Sequence, residues 1–194
     1  MHDCWPSYWK YTQATHAVCC AHLLRELNGV QDNYPKQTWA KEFAYLLLRM
    51  KQAKELSEQC GLSILDPFFL QQYEREYDQI LETAYQENPE PEAQKPGKKP
   101  KRGKVLALID RLKKLKDGIC LFVKDFATPF DNNQAERDLR MVKVKTKVSG
   151  CFRTEEGARD YLRIMSYVGT AKKQGVNPFH AILQAVSGKP QTSW

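Results

Sequence analysis

A chain of 194 residues, 42% hydrophobic and 11% aromatic, carries enough apolar surface to fold around a core, which excludes a disordered polypeptide. Its 30 Lys and Arg outnumber its 23 Asp and Glu, for a formal net charge of +7, and this favours a polyanionic partner: nucleic acid first, an acidic membrane surface second. No apolar run approaches the roughly 20 residues that span a bilayer, and no secretory signal follows Met1; the six scattered cysteines (Cys4, Cys19, Cys20, Cys60, Cys120, Cys151) read as reduced thiols of a cytoplasmic protein.

In chain order, His2-Asp3-Cys4-Trp5-Pro6 opens with no strand or helix of its own before it. Trp5, Tyr8, Trp9 and Tyr11 recur at helical spacing, for which core packing is the default and base stacking the alternative. His16 to Cys20 (HAVCC) is a short apolar run suited to a buried strand. Leu23, Leu24 and Leu27 then suggest a helix ending near Gly29. Trp39, Phe43, Leu46, Leu47 and Met50 define a second helix, stopping near Cys60-Gly61. Asp66 as N-cap and Pro67 at the first helical position start a third, with Leu70, Tyr73, Tyr77, Ile80, Leu81 and Ala84 on its apolar face. The two make a helical hairpin.

Glu87 to Lys104 is rich in Pro, Gly and charge and reads as a mobile surface linker. Its Lys95, Lys98, Lys99, Lys101, Arg102 and Lys104 suit a solvated loop and a phosphate-contacting arm equally well. Val105, Leu108, Ile109, Leu112 and Leu115 resume a helix, and Ile119, Leu121, Phe122 and Phe126 suggest a further short one. Tyr161, Ile164, Met165 and Val168 mark a helix ended by Gly175; Asn177-Pro178 starts the last, which carries His180 and ends at Gly188. Cys60, Cys120 and Cys151 read as helix or core positions. The chain is therefore expected to be mostly α with very few strands.

The segment Asp131 to Arg140 (DNNQAERDLR) holds the residue of most interest. With Asn133 as N-cap, Glu136 falls at the capping-box position, and a negative charge suits a helix N-terminus. Yet Arg137, Arg140, Lys143, Lys145, Lys147, Arg153, Arg159 and Arg163 crowd the same span. Lys143, Lys145 and Lys147 alternate with Val142, Val144 and Val148, which in an extended segment puts three lysines on one face. A lone acid among so many cations suits a metal site beside a phosphate backbone.

DNNQAERDLRMVKVKTKVSGCFRTEEGA, with HDCWPSYWKY and HAVCCAHLLREL, resembles the insertion-sequence-66 family of bacterial DDE transposases. The resemblance implies DNA strand cleavage and transfer on an α/β RNase H-like core, with Mg²⁺ or Mn²⁺ in a two-metal site, and with DNA ends, target DNA and a homo-oligomer as partners. Asp3 then matches the second catalytic aspartate and Glu136 the catalytic glutamate, both as metal ligands. Arg137, Arg140, Lys143, Lys145, Lys147 and Arg153 fall to DNA contact, and Cys19 and His22 to a structural Cys-x-x-His element that lacks the further ligands of a zinc site. The family's first catalytic aspartate lies upstream of Asp3, so the chain is expected to be a C-terminal portion, inactive alone, with the first core strands missing. The expected divisions are 1–34 (partial core), 35–86 (helical insertion), 87–104 (basic linker) and 105–194 (C-terminal helical part). The alternative is a non-enzymatic DNA-binding or regulatory transposase remnant.

Overall fold

The computed structural model describes residues 1–91 and 103–191. Their secondary structure is helical: a 3-10 helix Pro6–Lys10, then α1 (Cys20–Asn33), α2 (Trp39–Gln59), α3 (Pro67–Glu87), α4 (Lys104–Lys114), α5 (Lys116–Lys124), α6 (Asn133–Ser149), α7 (Glu155–Lys173) and α8 (Pro178–Val186). The chain falls into two compact units, Met1–Asn132 and Asn133–Trp194.

The first unit is built on α2, which packs against α1, α3 and α5, with α4 against α3 and α5. The apolar positions of α2 are Trp39, Phe43, Leu46, Leu47 and Met50, all fully buried. Their i, i+3/i+4 spacing forms one stripe, and burying that stripe supplies most of the helix's stability. Tyr77 of α3 meets Phe43 edge-on, with ring centroids 4.7 Å apart, and its hydroxyl donates to the Leu112 carbonyl of α4 at 2.8 Å. Burial drives the Tyr77 phenol far above its ordinary pKa, so it stays a neutral donor. α3 starts as expected: Asp66 accepts the Phe68 N–H at 2.8 Å and Pro67 occupies the first turn.

Several expectations change. HAVCC forms no strand; it makes a single parallel bridge between His2 and Val18. The other edge of Val18 is occupied, because its N–H donates to the Gly118 carbonyl of α5 at 3.0 Å. A helix therefore stands where a second strand would have to pair, and no strand is formed among the described residues. α1 runs through Gly29 to Asn33, since tertiary burial of Leu27 and Val30 outweighs a cost of about 1 kcal/mol for an internal glycine. Phe126 lies beyond α5, in the turn that follows it. Trp5, Tyr8 and Tyr11 are exposed rather than core, because a five-residue 3-10 helix offers no continuous stripe to bury. Cys120 is buried, whereas Cys60 and Cys151 are exposed and lie outside helices. Glu87 ends α3 and Lys104 opens α4, but Lys95, Lys98, Lys99, Lys101 and Arg102 lie outside the described residues.

In the second unit α7 packs against α8. Thr154 caps α7 by accepting the Gly157 N–H at 3.0 Å, and Asn177 caps α8 by accepting from Phe179 at 2.9 Å. Gly175 and Gly188 follow these helices at φ +73° and +77°, a conformation that glycine adopts without the Cβ penalty. Among the described residues of this unit, Ala171 and Ala181 are the buried apolar ones.

Candidate functional site

Asp3 sits where the chain turns from the His2 bridge into the 3-10 helix. Its Oδ1 accepts the Trp5 N–H at 3.0 Å, a local turn bond that Asp forms readily and that leaves the carboxylate half-buried. The residue before it is firmly held. The backbone N–H of His2 donates to Ala17 O at 3.0 Å, and its carbonyl accepts from Cys19 N at 2.9 Å. The buried His2 imidazole stacks on Tyr8 at 4.7 Å and lies edge-on to Trp9 at 5.0 Å. Its Nε2 is 2.8 Å from His16 Nδ1, and its Nδ1 bonds the Asp3 carbonyl. His16 continues the chain through Nε2 to Tyr11 O at 2.9 Å.

Cys19 links this segment to the one that leads into α6. While its own N–H bonds His2, its Sγ accepts the Asn132 N–H at 3.3 Å, and the neighbouring Cys20 N–H donates to Phe130 O at 3.1 Å. Cys19 thereby ties the Asp3 segment to the approach to α6. His22, three residues on, starts α1 with its N–H on Cys19 O at 3.2 Å. Burial raises Cys4 and Cys20 and pushes Cys120 up to about 12, which keeps them protonated.

Lys54 of α2 holds the same approach from the other side. It is buried, and its Nζ donates to Phe126 O at 2.7 Å and Thr128 O at 2.6 Å, with Glu58 at 3.6 Å. Sequence pattern does not reveal this residue, because a lysine on a long helix reads as solvated surface. His2 and His16 are missed for a similar reason: their pairing joins positions 14 apart through a bridge too short to show as a strand.

In the second unit, Glu136 is half-buried in the first turn of α6, where the helix dipole favours an acid. Asn133 is the first residue of this helix rather than its cap. The extended reading of Lys143 to Lys147 is corrected, since they lie within α6. At about 100° per residue, Glu136, Arg140, Lys143 and Lys147 share one stripe roughly 16 Å long, whereas Lys145 points about 180° from Glu136. Arg137 sits on the flank and donates to Gln134 Oε1 at 2.9 Å. Arg153 is exposed in the turn between α6 and α7. Lys173 of α7 donates to Asp138 at 2.5 Å and Gln134 adds a bond at 2.9 Å; together they hold the Asp138 carboxyl below the usual range. Residues 133–194 contain eleven Lys and Arg against five Asp and Glu, so six of the seven net positive charges lie in the second unit.

Asp3 and Glu136 offer the hard carboxylate oxygens that Mg²⁺ and Mn²⁺ take. Among the described residues, however, no group of three or more His, Cys, Asp or Glu is arranged to hold a metal ion. The donor type fits, the set is short, and no catalytic step is assigned to a metal.

α6 thus sets an acid at the head of a cationic stripe. The Transposase IS66 family model matches residues 1–160, and the chain belongs to that family. The match includes Asp3, the Cys19–His22 element, the whole of α6 and Arg153. No curated protein and no solved structure matches the chain. Membership gives it a transposase role in general terms, and no described helix is long and apolar enough to cross a membrane.

Proposed function

We propose that this chain contributes part of a DDE-type transposase that breaks and joins DNA strands, with Asp3 and Glu136 as two of its catalytic carboxylates on an RNase H-like core. The observation that carries this reading is the α6 stripe, in which Glu136 heads a row of Arg140, Lys143 and Lys147 inside the family match. Cations spaced along one helix face suit successive phosphates of a DNA backbone, and an acid at the helix start suits a ligand role at one end of that row. Mg²⁺ or Mn²⁺ held by such carboxylates would supply charge neutralisation at the phosphate under attack. The chain's own residues bind and orient: the His2, His16 and Cys19 bonds hold the Asp3 segment, and Lys54 holds the turn before α6.

Two carboxylates of a three-carboxylate set leave an incomplete site, so the 194 residues alone are expected to bind DNA without nicking it. Fluorescence anisotropy on duplex DNA at several salt concentrations, beside a Mg²⁺-dependent nicking assay, tests both halves. The expected result is steeply salt-dependent binding that weakens about tenfold or more in Arg140→Glu/Lys143→Glu, while Lys145→Glu on the opposite face has a smaller effect. Nicking by the purified chain that disappears in Glu136→Gln would overturn the expected inactivity. DNA binding indifferent to salt and to the stripe would remove the support for the interface. Binding without chemistry even in the presence of the remaining transposase segments would favour the non-enzymatic reading, to which the concentration of charge in the second unit also lends itself.

A further inference from the structure

The far end of the α2–α3 hairpin exposes an apolar surface that the DNA reading does not use. Leu56 at the end of α2, Leu62 and Ile64 in the connecting loop, and Phe68 and Phe69 at the start of α3 are each more than half exposed. The loop that presents them is well built. Gly61 adopts φ +77°, Leu62 N–H returns to Ser57 O at 2.9 Å, and Leu65 is buried in the core between its exposed neighbours. The surface is thus held outward by an anchored turn.

Its chemistry offers a phosphate backbone no cation. Residues 55–70 contain no Lys, Arg or His. Their three acids are engaged within the chain: Glu55 with Lys51 at 2.7 Å, Glu58 with Lys54 at 3.6 Å, and Asp66 as the α3 cap. The patch is apolar with its charges internally compensated, so it needs no complementary charge from a partner. Such a surface matches itself, because a twofold interface places the same patch on both sides. At about 200 Å² per large side chain, five that are half to two-thirds exposed present on the order of 600 Å². Two copies would bury roughly 1,200 Å², above the about 1,000 Å² expected of a specific interface. The apolar residues exposed on the second unit differ in this respect, since Arg and Lys accompany them along α6 and α7.

We infer that the hairpin tip formed by Leu56, Leu62, Ile64, Phe68 and Phe69 is a self-association surface that seats the same tip of a second copy of this chain. The inference stands apart from the catalytic reading, because it requires neither metal nor DNA.

Cys60 lies exposed at this tip and serves as a native probe. Sedimentation equilibrium of the full chain should show a reversible dimer, and Phe68→Asp/Phe69→Asp should weaken it at least tenfold while leaving the melting temperature unchanged at concentrations too low for the natural chain to dimerise, since both rings are solvent-facing. In a Cys151→Ser background a short bis-maleimide should link two chains through Cys60, and in Cys60→Ser this link should be lost. A monomeric chain throughout, an equally tight dimer in the double variant, or no Cys60 cross-link in the Cys151→Ser chain each overturns the inference. A monomer would also be the result if the tip served a different protein.

Discussion

Lys54 is a cation in a place where an unpaired charge would be very costly. It is tolerated because two carbonyls accept from its ammonium group and the Glu58 carboxylate lies 3.6 Å away. Lys54→Met keeps the aliphatic stem but leaves the Phe126 and Thr128 carbonyls without this donor. An expected cost of about 1–3 kcal/mol should appear as a lower midpoint in denaturant unfolding followed by circular dichroism. Tyr77→Phe removes one buried bond at nearly constant volume and should cost less, about 1 kcal/mol. Asp138 gives a pH prediction. Its carboxyl is held below its unfolded value by Lys173, so the tie between α6 and α7 is fully present above about pH 4 and is lost as pH falls through the depressed value. The protection factors of α6 amides, which remove the intrinsic pH dependence of exchange, should fall across that acid range in the natural chain, and Asp138→Asn should remove this pH step.

Elements here are placed by close backbone approaches as much as by side-chain stripes. Gly118 is the clearest case, since a Cβ there would stand 2.9 Å from the His16 carbonyl. That approach lets Val18 bond Gly118 O and so fixes the segment running back to His2. Gly118→Ala would raise helix propensity in α5 yet force the two backbones apart. A net loss of about 1–3 kcal/mol is expected, with changed NMR shifts at His2 and His16 as the local readout. Helix starts were legible because capping chemistry is local: Asp66-Pro67 and Asn177-Pro178 need nothing beyond their own next turn. The α6 lysines were not, because Lys-Val alternation satisfies an extended period while the same residues also fit a helix. A run with no buried side chain carries no packing signal to decide between them.

At the scale of the whole molecule, the two units differ in how they are stabilised. The first has a contiguous core drawn from α1 to α5; among its described residues the second buries Ala171 and Ala181 alone of its apolar side chains. Native-state hydrogen exchange should therefore find the slowest amides in α2 and α3 and much faster exchange in α6. Uniformly slow exchange across both would contradict it. Charge divides along the same line. The net positive charge resides in residues 133–194, so DNA should protect α6 and α7 from exchange more than it protects α2 and α3.

The amino-acid sequence by itself determined the helical class, the α2–α3 hairpin, most helix boundaries and the family, because periodicity, caps and the Asp131 to Ala158 segment are local patterns. It also singled out Asp3, Glu136 and Cys19. The tertiary structure alone decided that His16 to Cys20 bridges instead of forming a strand, that Trp5, Tyr8 and Tyr11 face solvent, and that Lys54, His2 and Cys19 hold the Asp3 segment and the turns up to Asn132. Those outcomes depend on which backbone atoms meet across 14, 72 or 113 residues of chain, and no local spacing encodes such meetings.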